Sequence, residues 1–339
     1  MRVSVVIVNW NGGDALLECL DALSAQSRPA DEIVVVDNAS TDGSPERAST
    51  KFHNLAVLQN EHNLGFGPAV NQGVGASCGD WIALLNNDAV VDRDWLEALT
   101  RAARTAPNIG MVASKIFLDR SARILDKVGH RIALDGQNFG RGHGLADDGR
   151  YSDGMELAWP DGCAGLWKRS VFEQVGGFDE DFFAYADDAD LGIRFRLAGW
   201  RCVLAADAIV EHRHSATLGA YSARKLYLVE RNRIWLAAKY FSWPLLALNP
   251  LLWLGRVVLT GAALAAGGGP FASVRTGERR AVLAAILRAQ WDGWRGVPLQ
   301  RRKRARLADR CGDDWERRLT RLLRAERAPL HHLAYGRLR

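Results

Sequence analysis

Val3-Ser-Val-Val-Ile-Val-Asn-Trp-Asn-Gly12 is a short β-branched apolar run that stops abruptly at two asparagines and a glycine. Such a run, apolar without alternation, is the pattern of a strand buried on both faces, as in a parallel sheet. Leu16, Leu17, Leu20 and Leu23 then recur at helical spacing. Outward from there the alternation continues, with predicted strands at 32–36, 55–58, 81–85 and 109–113. Between them fall predicted helices from Ser44, with Pro45 in its first turn, at 68–76 and at 95–103. Strands alternating with helices of this length predict right-handed βαβ crossovers and an α/β fold with a mostly parallel, Rossmann-like sheet covered on both faces. Residues 120–151, rich in Gly and Asp without periodicity, read as irregular excursions or a hairpin beside the sheet. Order returns with predicted helices at 169–175, closed by Gly176-Gly177, and 187–197, and a strand at 202–205.

The chain has 339 residues, 48% of them hydrophobic, with only 10 prolines, so it buries a core and is not a disordered tail or a bare recognition module. The formal net charge of +5 hides an asymmetry. Residues 1–215 carry 20 Lys and Arg against 31 Asp and Glu, net −11, while residues 216–339 carry 24 against 8, net +16. We therefore expect two regions, 1–215 and 216–339, the second facing something anionic. Five scattered cysteines without a CxxC pair read as reduced thiols of a cytosolic compartment. The N-terminal apolar run is too short for a secretory signal, so the first region is expected to stay in the cytoplasm.

In an open α/β sheet, ligands bind beyond the carboxyl ends of the strands. Three polar clusters fall there: Asn9-Trp-Asn-Gly12, Asp37-Asn-Ala-Ser-Thr-Asp-Gly43 and Asn86-Asn-Asp88. Each alone is an ordinary turn; all three on one edge point to a ligand. Asp88, a carboxylate beside two amides, suits a divalent cation that takes few protein carboxylates and lets phosphates complete its shell. The loop His62-Asn-Leu-Gly-Phe-Gly67 precedes a helix and suits an anion. A nicotinamide dehydrogenase would share the sheet, but its G-x-G-x-x-G fingerprint is absent after the first strand. Asp187, Asp188 and Asp190 crowd one helix start; dipole stabilisation explains one acid there, not three.

These segments, with Asn63-Leu-Gly-Phe-Gly67, Leu84-Leu-Asn-Asn-Asp88, Gly176-Gly-Phe-Asp-Glu180 and Tyr185-Ala-Asp-Asp-Ala-Asp-Leu191, resemble in order the motifs of glycosyltransferase family 2, above all its bacterial rhamnosyltransferase-like members. The resemblance covers about residues 3–240. It implies the GT-A fold, a nucleotide-diphosphate sugar donor, Mg²⁺ or Mn²⁺ and inversion at the anomeric carbon. It implies donor-nucleotide contacts at Asn9, Asn11, Asp37, Asn63, Asn86 and Asn87, and metal ligands at Asp88 and His212, with His214 an alternative. The catalytic base falls at Asp188. Asp187, which stands where the family has Glu, is assigned with Asp190, Arg231 and Asn232 to acceptor or diphosphate. Asp161-Gly-Cys-Ala-Gly165 matches the turn lining the donor sugar.

In the basic region, residues 224–241 read as a basic amphipathic helix. Residues 243–267 form the most apolar stretch, interrupted by Asn249-Pro250 and Arg256. A central Arg costs roughly 2.5–3.5 kcal/mol in a bilayer, so a broken, in-plane or re-entrant helical pair is favoured over a true span. The Arg-rich tail beside it suits an anionic membrane surface rather than nucleic acid. The expected protein is a metal-dependent inverting enzyme on the cytoplasmic face of a bacterial plasma membrane. It extends a lipid-linked cell-envelope glycan, with dTDP-rhamnose as the first donor to try and UDP-hexoses next. The alternative is an inactive membrane-bound sugar-nucleotide binding or scaffold protein.

Overall fold

The computed structural model describes residues 1–213, 222–265 and 279–328. The N-terminal part runs Val3–Asn9 (β1), Gly13–Ser24 (α1), Glu32–Asp37 (β2), Ser44–Lys51 (α2), Ala56–Gln59 (β3), Phe66–Ala76 (α3) and Trp81–Asn86 (β4). Then come Ala89–Val91 (β5), Trp95–Ala103 (α4), Ile109–Asp119 (β6), Ile124–Lys127 (β7), His130–Ala133 (β8), Asn138–Gly140 (β9) and Glu156–Leu157 (β10). Ala164–Lys168 (β11), Arg169–Val175 (α5), Asp187–Leu197 (α6) and Arg201–His212 (β12) complete the sheet.

The main sheet has the order β10-β12-β6-β11-β4-β1-β2-β3, with β5 beside β12 and β7 beside β6. β1 pairs in parallel with β2 and β4, so Asn9 and Asp37 come abreast and Asn86 lies beside Val8. β11 enters antiparallel between β4 and β6. As the unalternated run predicts, β1 is buried on both sides. Val3, Val5 and Ile7 join a core with Leu16, Leu20 and Trp95, whereas Val6 joins a second core with Val70, Ile82 and Leu84.

The segment 120–151 is a set of short strands: β7 folds against β6, and β8 and β9 form a small antiparallel pair. β6 and β12 are longer than predicted, because each continues past its apolar half into polar residues at the site; β12 passes a bulge between Ala205 and Ile209.

The C-terminal part is helical: Ala223–Tyr240 (α7), Trp243–Ala247 (α8), Asn249–Ala265 (α9), Arg279–Arg295 (α10), Val297–Ala305 (α11), Leu307–Cys311 (α12) and Trp315–Ala325 (α13), with Arg327–Ala328 (β13) pairing with β8. It shares the second core, since Ile234, Leu236, Trp315 and Leu322 pack with Trp167 and Phe195. The basic helix α7 is therefore largely internal. Its Arg233 is buried beside Glu230, and Lys239 pairs with Asp179 and Asp190. Much of the charge asymmetry is neutralised within the chain: Lys303 likewise reaches Asp179 and Asp181, and Arg256 reaches Asp135. Among the described residues no helix is long and apolar enough to cross a membrane; the stretch at 243–267 breaks into α8 and α9, with 266 and 267 outside the described residues.

Candidate active site

At the carboxyl edge of β1 and β2 the asparagines and acids knot together. Asn9 Nδ2 donates to Asp37 Oδ1 at 2.8 Å and to the hydroxyls of Ser44 and Ser40 at 3.0 and 3.1 Å. Its Oδ1 accepts from Asn87 Nδ2 at 2.8 Å. Asp37 also accepts from the Ser40 hydroxyl and backbone N–H. Both side chains are buried, and the Asn9 amide protons and both Asp37 carboxylate oxygens hold the loops together at the edge where the nucleoside contacts are expected. A Cβ at Gly12 would fall 2.3 Å from Asn9 Oδ1, which is why glycine stands there. Asn11, exposed with φ 51°, takes the Thr41 N–H on its Oδ1, while Asn86 and Asn87 are half-buried at the cleft.

The loop expected to suit an anion also makes contacts within the chain. Asn63 Oδ1 accepts from Gly65 N, and Phe66 N donates to the Phe183 carbonyl at 2.6 Å. A Cβ on Gly65, where φ is +94°, would meet that carbonyl at 2.3 Å. The loop thus packs against the segment leading into α6.

The two metal ligands do come together. β5 pairs antiparallel with β12 in a register that sets His212 opposite Ala89, next to Asp88. His212 Nε2 lies 3.3 Å from Asp88 Oδ1, and its Nδ1 lies 3.1 Å from Asp126 Oδ2. A carboxylate on the far ring nitrogen fixes the imidazole's orientation, as partners of metal-bound histidines do. One carboxylate and one imidazole are a donor set that fits a divalent cation taking few protein ligands. His214 lies outside the described residues.

From Asp126 a buried charged row continues. Lys127 Nζ lies 3.4 Å from Asp126 Oδ2 and 3.0 Å from Asp161 Oδ2. His130 Nε2 is 2.7 Å from Asp161 Oδ2 and 3.4 Å from Asp188 Oδ2. Asp188 also accepts from Gly162 N at 3.2 Å and from Ala189 N at 2.7 Å. Burial lowers the His130 value, but Asp188 and Asp161 outweigh it and raise it. Burial raises Asp188, an effect that His130 offsets only in part. Asp187 is pushed up to about 8 by burial and by Asp188, and its Oδ2 is buried with no hydrogen-bond partner. His130, Asp161 and Asp188 have ligand atoms within 4.8 Å of one another. The Lys127 ammonium lies beside that cluster, 3.0 Å from Asp161 Oδ2, and adds positive charge there.

Asp190, Arg231 and Asn232 make structural contacts. Asp190 is buried against Arg194, Lys239 and the Tyr240 hydroxyl, which ties α6 to α7. Asn232 Nδ2 donates to the carbonyls of Phe182, Ala184 and Tyr185 at 3.0, 2.8 and 2.7 Å. Arg231 reaches the carbonyls of Asp181 and Phe182 and stacks on Trp235. They hold a strained approach to α6, in which Phe183, Tyr185 and Ala186 have φ of 66°, 67° and 62°. Asp126, Lys127 and His130 escape the sequence reading because they lie in the aperiodic segment; the available signal is three ionisable residues within five positions.

A mostly parallel sheet with acids at its strand ends, a carboxylate–imidazole pair and a carboxylate at a helix start across the cleft define a glycosyltransferase of the GT-A fold. The chain belongs to glycosyltransferase family 2. Residues 4–148 match the family described as glycosyl transferase family 2, and residues 81–287 match glycosyl transferase family group 2. The N-acetylglucosaminyl-diphospho-decaprenol L-rhamnosyltransferase of Mycobacterium tuberculosis is 30% identical over 261 residues, 70% of this chain and 85% of that one. Two solved structures share the fold. A mannosyltransferase from Pyrobaculum calidifontis with GDP-Man and Mn²⁺ has a TM-score of 0.50 at 20% identity, covering 96% of this chain and 85% of the other. GalNAc-T7 with UDP, GalNAc and Mn²⁺ has 0.56 at 15% identity, covering 72% and 48%.

Proposed function

We propose that the enzyme transfers a sugar from a nucleoside-diphosphate donor, with inversion, to a hydroxyl of a lipid-linked cell-envelope glycan. The observation that carries this reading is the continuous row from Asp88 and His212 through Asp126, Lys127, Asp161 and His130 to Asp188. It links a cation site to a base across one cleft. Mg²⁺ or Mn²⁺ held by Asp88 and His212 would neutralise the departing diphosphate. Asp188 accepts the acceptor hydroxyl's proton as the new bond to the anomeric carbon forms and the bond to the diphosphate oxygen breaks. A single displacement with one base inverts the centre. Burial raises the affinity of Asp188 for that proton, and His130 opposes the rise.

The donor to try first is dTDP-rhamnose, supported by the rhamnosyltransferase relative, and UDP-hexoses follow. The same relative's name, which specifies a decaprenyl-diphosphate acceptor, supports a lipid-linked acceptor here. The reading puts the enzyme at the cytoplasmic face of the bacterial plasma membrane. Purified full-length protein with Mn²⁺ or Mg²⁺, a panel of nucleotide sugars and membrane lipid extract should release nucleoside diphosphate and glycosylate lipid. No turnover of any donor under these conditions overturns the proposal in favour of a non-catalytic sugar-nucleotide binder.

A further inference from the structure

We infer that α8 and α9 form an in-plane docking face for an anionic lipid bilayer. From Trp243 to Ala262 every side chain left exposed is apolar or absent. Trp243 is 64% exposed, Leu251 66%, Leu254 52% and Val258 62%. The polar residues of the same span turn inward. Asn249 is fully buried, accepting from Arg233 and donating to the Asp135 carbonyl. Arg256 pairs with Asp135 at 2.7 Å and with Glu230 at 2.7 Å, and the Thr260 hydroxyl bonds the Arg256 carbonyl. A helix facing water shows the opposite pattern.

Arg256, whose mid-stretch charge counts against a span, therefore offers lipid nothing to repel. Leu251, Leu254 and Val258 recur at i, i+3 and i+7, a one-sided stripe suited to lying in a bilayer interface.

The charges beside this face are cations. The Arg301 guanidinium sits 4.1 Å over the Trp243 ring, and Arg302 in the same helix is exposed. Two copies docked face to face would bring these cations together, whereas lipid phosphates neutralise them, and tryptophan favours that interface. A second stripe, Leu283, Leu287 and Trp291, is exposed on α10, with Arg295 beside Trp291. α10, like α9, reaches Glu230 of α7, through Gln290.

The docking face gives the proposed lipid-linked acceptor its setting and rests on that reading for its purpose, but its test does not need activity. Full-length protein is floated with phosphatidylglycerol/phosphatidylcholine vesicles and with phosphatidylcholine alone. It is compared with the variant Leu251→Ser/Leu254→Ser/Val258→Ser, whose melting temperature and Mn²⁺ binding should stay unchanged. The native chain should float with the anionic vesicles, and the variant's partition coefficient should fall by about 100-fold or more. Absence of flotation, equal flotation of the variant, or equal binding to neutral vesicles overturns the inference. A dimer that the variant abolishes, without flotation, assigns the face to a second copy and also overturns it. Flotation without turnover of any donor leaves the docking face standing and removes the proposed activity.

Discussion

His130 Nε2 stands 3.4 Å from Asp188 Oδ2. Asp161, 2.7 Å away on the same nitrogen, is held well below the usual carboxylate range: burial opposes ionisation, and Lys127 and His130 overcome it. Asp161 is thus a negative charge that raises the proton affinity of His130, and His130 in turn opposes the effect of burial on Asp188. The candidate base is tuned by a residue of β8, an element that the sheet itself does not need.

Replacing Asp188 by Asn should leave donor binding within about threefold and lower transfer by about 10²–10⁴-fold, the usual worth of a general base. Titration calorimetry with a donor and a transfer assay separate the two effects. Normal turnover in this variant would remove Asp188 from the role.

His130→Gln tests the tuning. Losing the imidazolium removes the group that offsets burial at Asp188, so the Asp188 value rises further. The acidic limb of the kcat/KM profile should then move to higher pH, while activity at the alkaline plateau is affected less. A uniform loss at all pH values would mean that His130 only packs the site.

Asp126 lies 3.1 Å from His212 Nδ1 and, on the proposed cation site, would support the metal through it. Asp126→Asn should weaken Mn²⁺ activation by about 10–100-fold, as loss of such supporting carboxylates typically does, with activity restored at high Mn²⁺. An unchanged Mn²⁺ dependence would separate Asp126 from the metal.

The sheet and half the site are legible in the sequence for one physical reason: buried parallel strands are uniformly apolar and end where polarity begins. That boundary locates Asn9, Asp37 and Asp88. What a side chain bonds to at the boundary is a tertiary fact, and so the sequence does not announce that Asn9 and Asp37 bond each other. The bonds of Asn232 to the carbonyls of Phe182, Ala184 and Tyr185 are tertiary in the same way. β7 and β8 are short strands half-filled with polar residues, which erases the period that would announce them and hides Asp126 and His130. The inward turn of Arg256 likewise depends on Glu230 and Asp135, 26 and 121 residues away.

The two outer acids of the α6 start should affect stability in opposite senses. Asp187 moves from 3.8 to about 8 on folding. Between those values the unfolded chain has released the proton while the folded chain keeps it, so stability falls as pH rises through the window. Asp187→Asn abolishes that fall, and its melting temperature in the ligand-free protein should exceed that of the native chain by more at pH 8 than at pH 5. Asp190 is held below its ordinary value: burial opposes ionisation, but Arg194 and Lys239 prevail. Its stabilisation is present above the unfolded value and is lost as pH falls through the folded one. Asp190→Ala leaves Arg194 and Lys239 buried without this partner, and should cost about 3–5 kcal/mol at neutral pH, measurable by urea unfolding. An Asp187→Asn gain that is equal at both pH values, or an Asp190→Ala loss below about 1 kcal/mol, would contradict the roles of burial and pairing that distinguish these two acids.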